Sequence, residues 1–195
     1  MKFKVLLLSL LLASAFTASA QDTWAPKIGY GGVMAGNGDL PGHWFLAGVQ
    51  KQVSSRSGFE IAATGTYIEQ TRDWGQGYET FEKSNGMALE GTYNYFLSWG
   101  AVRLYPAVGP VLRYASERDV NQLSISYNSQ GEITEFAPVV HTNRQLQPGV
   151  VVALNLDVRA TQHLTLGLRG AVQSFQNGQR LASVGITLQN LNWGF

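Results

Sequence analysis

The chain has 195 residues, of which 14% are charged, with a formal charge of +1, 22 glycines and no cysteine. Ordinary soluble domains carry about 25% charged residues, and a balanced charge lacks the electrostatic footprint of a nucleic-acid binder. Without cysteine there is neither a disulfide framework nor a lipid-acceptor residue; beyond the N-terminal leader no apolar run approaches the roughly 18 residues a membrane helix needs.

At the N-terminus, Lys2 and Lys4 precede an apolar run over 5–12, and Ala18, Ser19 and Ala20 put small residues at the −3 and −1 positions of a cleavage site before Gln21. Residues 1–20 are therefore expected to be a removable secretory leader, and 21–195 one domain without a linker or repeat motif.

Alternating strokes follow. Residues 27–36 are glycine-rich with Ile28, Tyr30 and Met34 on one face, and 43–53 set Phe45, Ala47 and Val49 against Gln50 and Gln52. Residues 58–68 set Phe59, Ile61, Ala63 and Tyr67 against Glu60, Thr64 and Thr66, and 86–97 set Met87, Leu89, Tyr93, Tyr95 and Leu97 against Glu90, Thr92 and Asn94. In 101–115, Val102, Leu104, Val108, Leu112 and Tyr114 oppose Arg103, Tyr105, Val111 and Arg113, with Pro106 and Pro110 on the apolar side, where they cannot donate to a ladder. Residues 150–158 alternate five branched apolar residues with Asn155 and Asp157, Arg159 following in phase, and 164–173 repeat the pattern with Arg169 and Gln173 on the polar face. The last stroke, 181–195, carries Val184, Ile186 and Leu188 in phase, then Leu191, Trp193 and Phe195 on the opposite parity, which a bulge near Gln189 and Asn190 would reconcile.

A period of two with charge on one side is a strand between two different solvents. About eight such strokes, each near the 9–11 residues of a tilted transmembrane strand, predict an all-β fold: an eight-stranded antiparallel up-and-down transmembrane β-barrel. The connections agree. Residues 54–57, 98–100 and 161–163 are tight, whereas 69–85 and 116–147 are long and polar, and 36–42 and 176–180 are modest. Short periplasmic turns and longer outer loops give this alternation. A soluble barrel or β-sandwich would also alternate, but its water-facing side would be rich in Lys and Glu. Here the polar faces mix small residues with a few charges, which suits a narrow lumen.

Glu60, Glu90 and Asp157 share that face with Arg103, Arg113, Arg159 and Arg169. The up-down order places Glu60, Arg103, Asp157 and Arg159 near the periplasmic end, and Glu90 with Arg169 near mid-barrel. Eight strands leave an interior just wide enough for side chains, so a paired charge network is expected to plug the tube; the alternative is a small-solute or lipophilic-ligand conduit gated by Glu90 and Arg169. For a lipid-modifying hydrolase the candidates are His43 and His141, with Asp119, Ser124, Ser126 and Glu135 in the same loop as His141, while His163 falls in a periplasmic turn. None forms a His-x-Ser or comparable arrangement, and three scattered histidines make no metal site. No catalytic residue, metal or cofactor is expected.

The loops are the better candidates for interaction. Leu123, Ile125 and Tyr127 alternate before a turn at 128–131, and Ile133 and Phe136 follow, which predicts a hairpin extending two barrel strands. An unpaired edge there could accept a strand from an extracellular protein or other ligand. Residues 69–85 add Trp74, Tyr78 and Phe81, a composition of recognition surfaces or of an interfacial aromatic girdle.

The terminal Leu191, Trp193 and Phe195 resemble the C-terminal signature of bacterial outer-membrane proteins, which implies recognition by the barrel-assembly machinery. Residues 89–96 (LEGTYNYF) and 104–110 (LYPAVGP) are similar to the small β-barrel domains abundant in Bacteroidota, the PorT-like and OmpX/OmpA-like proteins. The resemblance spans the mature chain and specifies a fold rather than an activity. It implies a monomer in the outer membrane, in contact with its lipid, with a structural or surface-interaction role.

Overall fold

The computed structural model describes residues 24–36, 40–161 and 163–190. The expected leader and the terminal signature Leu191, Trp193 and Phe195 lie outside them.

The strands are β1 (Trp24–Ala35), β2 (Leu40–Gln52), β3 (Ser57–Asp73), β4 (Glu79–Tyr95), β5 (Leu97–Trp99), β6 (Val102–Tyr127), β7 (Ile133–Arg159), β8 (Leu164–Phe175) and β9 (Arg180–Asn190). All pairings are antiparallel, and two of them close the sheet on itself: β1 with β9, and β4 with β6. Eight strands form the ring, in the order β1, β2, β3, β4, β6, β7, β8, β9; β5 is a short continuation of β4 paired to the start of β6.

Proline explains why β5 is separate. Tyr93 pairs with Val108 and Leu97 with Leu104 in one common register, which sets Tyr95 opposite Pro106 and Gly91 opposite Pro110. The ladder lapses at both places because proline has no N–H to give. Both prolines still pair on their other side, with Leu154 and Val150 of β7.

One end of the ring has short turns. From the other end rise two tall hairpins. β2 leaves β3 at Ile68 and β8 leaves β7 at Gly149, yet β3 pairs with β4 as far as Asp73–Glu79, and β6 with β7 as far as Tyr127–Ile133. The two long segments 69–85 and 116–147 are thus strand almost to their tips, which corrects the expectation of loops there, while the expected hairpin around Leu123 to Phe136 is present. The tips turn on local chemistry. Asp73 Oδ1 accepts the Gly75 N–H at 2.7 Å, with Gly75 and Gly77 at positive φ; Asn128 Oδ1 accepts from the N–H of Gln130 and of Glu132 at 3.0 and 2.8 Å.

Register shifts fall between Val120 and Gln122 and between Ser126 and Tyr127, bulges that add twist where the hairpin stands clear of the ring. At the far end of the chain, β9 stays in register with β8 through Asn190, so the bulge expected near Gln189 and Asn190 does not occur within the described ladder.

Alternation sorts every strand of the ring into two faces. Outward lie Ile28, Phe45, Ile61, Leu89, Leu112, Val152, Leu168 and Ile186, all exposed. Inward lie the buried groups: an apolar cluster with Val33, Trp44, Leu46, Ile68, Val151, Phe175 and Leu181, and a polar one built on charged side chains. The apolar wall faces out and the charges face in, the reverse of a water-soluble barrel.

Candidate functional site: the lumen and the joined hairpins

The lumen holds a continuous ion-pair chain. Arg169 on β8 donates from Nη1 to Glu60 Oε1 at 2.9 Å and from Nη2 to Glu90 Oε2 at 2.7 Å, so one guanidinium joins the carboxylates of β3 and β4 across the barrel. Gln173 Nε2 donates to the other oxygen of Glu90 at 2.6 Å, and Lys27 Nζ to the other oxygen of Glu60 at 2.9 Å. Lys27 also reaches Tyr105 Oη at 3.1 Å and Asn155 Oδ1 at 3.4 Å, which ties β1, β6 and β7 into the same network. Charge-assisted bonds of this kind are the strong ones, and the planar fork of arginine lets one residue serve two acids.

Of the sequence-predicted lumen charges, Glu60, Glu90, Arg103, Arg113, Asp157 and Arg169 are buried, and Arg159 is half-buried at the short-turn end. Glu60 lies three residues into β3 from the short-turn end and also bonds Arg169, so the group expected at that end and the mid-barrel pair Glu90–Arg169 are joined through it into one network; the strand tilt of a closed barrel brings residues far apart along the chain within reach of one another. Arg103 lies over the Phe96 ring at 4.7 Å and reaches Gln52 Oε1 at 3.4 Å.

Arg113 stands apart at the hairpin end. Its Nη1 donates to Gln179 Oε1 at 2.8 Å, Gln147 Oε1 at 3.0 Å and Glu117 Oε1 at 3.4 Å, its Nη2 to Ser84 Oγ at 3.3 Å, above the Phe175 ring. Between these two polar groups sits the apolar cluster. Trp44 is seated on glycines there: a Cβ on Gly29 or Gly185 would meet its indole at 3.1 or 2.9 Å. Trp44, Arg113, Arg169, Tyr105 and Lys27 are all less than 2% exposed. The tube is packed, as small barrels are.

Outside the ring, the two hairpins are tied together. Gln76, at the β3–β4 tip with φ of 54°, donates from Nε2 to Gly131 O at 3.1 Å and accepts at Oε1 from the Ile133 N–H at 2.7 Å. Tyr78 packs on Phe136 with ring centroids 4.9 Å apart. Of the expected interaction residues, Ile133 is buried and Tyr78 and Phe136 are spent on this junction; Trp74 bonds Thr80 Oγ1 at 2.9 Å and carries Arg72 over its ring. Phe81 and Tyr127 remain exposed, and Leu123 and Ile125 are half-buried.

The catalytic candidates fall into separate pairs, and neither Ser124 nor Ser126 stands opposite a histidine. His43 lies on the outer wall, 2.8 Å from Tyr30 Oη. His141 pairs opposite Asp119, whereas Ser126 pairs opposite Glu135, six residues further along β7 and so about 20 Å away. His163 is exposed in a short turn.

Lys27 and Gln76 were missed by the sequence reading. Lys27 is signalled only by parity, opposite to Ile28 and Tyr30; Gln76 carries no sequence signal that sets it apart from its polar neighbours.

Fold and lumen together define a small closed β-barrel with a polar, side-chain-filled interior and an apolar exterior. No family model matches the chain, and no curated protein matches it. Solved structures do. Neisserial surface protein A aligns with a TM-score of 0.55 at 11% identity over 86% of this chain and 96% of its own. OprG, an outer-membrane protein of Pseudomonas aeruginosa, gives 0.52 at 8% identity over 87% and 93%. Ail, the attachment invasion locus protein of Yersinia pestis, gives 0.51 at 7% identity over 88% and 99%. At such identities the likeness is one of fold: an antiparallel barrel of the kind these outer-membrane proteins have.

Proposed function

We propose that this protein is a bacterial outer-membrane barrel whose packed lumen is structural and whose joined hairpins, on the extracellular side, carry its interactions. The observation that supports this is the inversion of faces: exposed aliphatic and aromatic side chains cover the outside of the ring while Lys27, Glu60, Glu90 and Arg169 are buried inside it. In water that wall would be an aggregation surface; in a bilayer it is the lipid contact. The leader at 1–20 and the terminal signature Leu191, Trp193 and Phe195, for export and assembly, belong to the same proposal, as does the kinship with PorT-like and OmpX/OmpA-like barrels.

The interaction surface is the edge of β7 over residues 134–147, between the Ile133 N–H held by Gln76 and the Pro148 carbonyl held by Gln176; it pairs with β6 on one side and, among the described residues, has no ladder on the other. At about 3.3 Å per residue it offers roughly 45 Å of free strand, open to strand addition by a surface protein. Shortening 121–135 is expected to abolish partner binding while the barrel still folds. The conduit reading is disfavoured by the packed lumen, and planar bilayers are expected to stay silent with the wild type and with Glu90→Gln.

The experiment that tests the reading is electrophoresis of outer-membrane extracts in SDS with and without boiling. A closed barrel resists detergent until heated, because its strands leave no free edge in the ring. A heat-dependent mobility shift is expected; an unshifted protein recovered in the soluble periplasmic fraction would overturn the proposal.

A further inference from the structure

Just beyond the apolar band, the outer wall of β4, β6 and β7 carries a compact group of cations. Lys83 stands directly opposite Arg118, and Arg144 lies two residues from Thr142, the β7 partner of Arg118. Alternation puts all three on the outward face: Met87 and Leu146, outward and 70% and 61% exposed, lie on the same faces of β4 and β7, closer to the ring. Side chains directly opposed in a ladder lie about 4.5–5.5 Å apart at Cβ and diagonal ones about 7–8 Å, and like charges so placed repel.

The protein neutralises one member. Lys83 Nζ lies 3.6 Å from Glu69 and over the Tyr67 ring at 4.8 Å. Arg118 and Arg144 are exposed and have no carboxylate partner among the described residues. Along tilted strands, Arg144 and Arg118 stand roughly 5 and 10 Å above Leu146 and Tyr114, with the exposed Phe81 and Val140 further out on the same faces. A headgroup layer of about 5–8 Å per leaflet takes in the Arg144 level and ends within side-chain reach of Arg118.

We propose that Lys83, Arg118 and Arg144 form a binding site for the phosphate groups of an outer-leaflet lipid, which rests on the membrane-spanning reading above. The anion supplies the missing countercharge to a Lys–Arg pair that the ladder forces together. The arginine forks match phosphate oxygens two at a time, and the acyl chains lie against Met87, Tyr114 and Leu146. Attraction of a juxtamembrane cation to an anionic lipid surface corresponds to about fivefold in affinity per charge.

The test uses the full chain in detergent micelles, with bound lipid read by native mass spectrometry. Bisphosphorylated lipid A is the probe, its dephosphorylated counterpart with the same acyl chains is the control, and inorganic pyrophosphate is the competitor. The wild type is expected to retain the phosphorylated lipid preferentially, Arg118→Gln with Arg144→Gln to lose about 25-fold in affinity, and Arg118→Lys with Arg144→Lys to keep most of it. Equal uptake of the dephosphorylated lipid, or an unchanged double glutamine variant, overturns the site. Displacement by pyrophosphate at equal concentration assigns it to a soluble anion and overturns the lipid. The boiling shift of each variant reports folding; its absence in the wild type would instead break the membrane reading itself.

Discussion

The ring and the joined hairpins are built from the same alternating strands but held in opposite ways. In the ring every strand has two neighbours, and its inward residues are crossed by ion pairs such as Glu60–Arg169–Glu90, so no strand can slip without breaking several buried contacts. Beyond Ile68 and Gly149 the hairpins lose one neighbour each, and between their tips the described contacts are the two hydrogen bonds of Gln76 and one aromatic pair. Closure makes a rigid base; partial pairing leaves an edge that function can use.

The sharpest way to break this contrast is Arg169→Met. It leaves Glu60 and Glu90 facing each other without their shared cation, and losing one partner of a buried pair costs about 3–5 kcal/mol. Urea unfolding of the refolded barrel is expected to show it, and adding Glu60→Gln and Glu90→Gln to restore much of the loss. An unaltered midpoint for the single variant would mean the lumen network does not hold the ring.

Gly185→Val is next in size. A Cβ there would lie 2.5 Å from the Tyr30 carbonyl oxygen and 2.9 Å from the Trp44 indole, an overpacking cost of about 1–3 kcal/mol. The boiling transition is expected at lower temperature, with loss of the fixed Trp44 environment in near-ultraviolet dichroism.

Gln76→Ala is expected to leave that transition in place while speeding proteolysis and amide exchange around Gly131 and Ile133, since each neutral hydrogen bond lost contributes about 1 kcal/mol to local closure. If exchange there is unchanged, the hairpins are joined by something other than this amide.

The smallest effect lies on the outer face of β3. Glu69, beyond the apolar band, has its carboxyl held below the ordinary range by the Tyr67 hydroxyl, which donates to it, and then by Lys83. A depressed carboxyl contributes stability above its unfolded pKa and loses it as pH falls through the folded value. Tyr67→Phe is expected to move the Glu69 titration upward by NMR without a measurable change in unfolding, the bond being solvent-exposed.

The sequence by itself determined the period of two, the count of ring strands, the parity that sends Ile61, Leu89 and Val152 outward and Glu60, Glu90 and Arg169 inward, and the hairpin after Leu123. These are local properties, because adjacent residues on a strand must face opposite ways. Only the tertiary structure decided which charges meet. Glu60 and Arg169 are 109 residues apart and bond only because the tilted ring closes β4 onto β6 and β1 onto β9. The same holds for Lys27 joining that network, for Gln76 clasping the neighbouring hairpin, and for Lys83 and Arg118 set face to face. Their partners lie on other strands, and the shear of the closed sheet, which no local pattern encodes, sets who stands opposite whom.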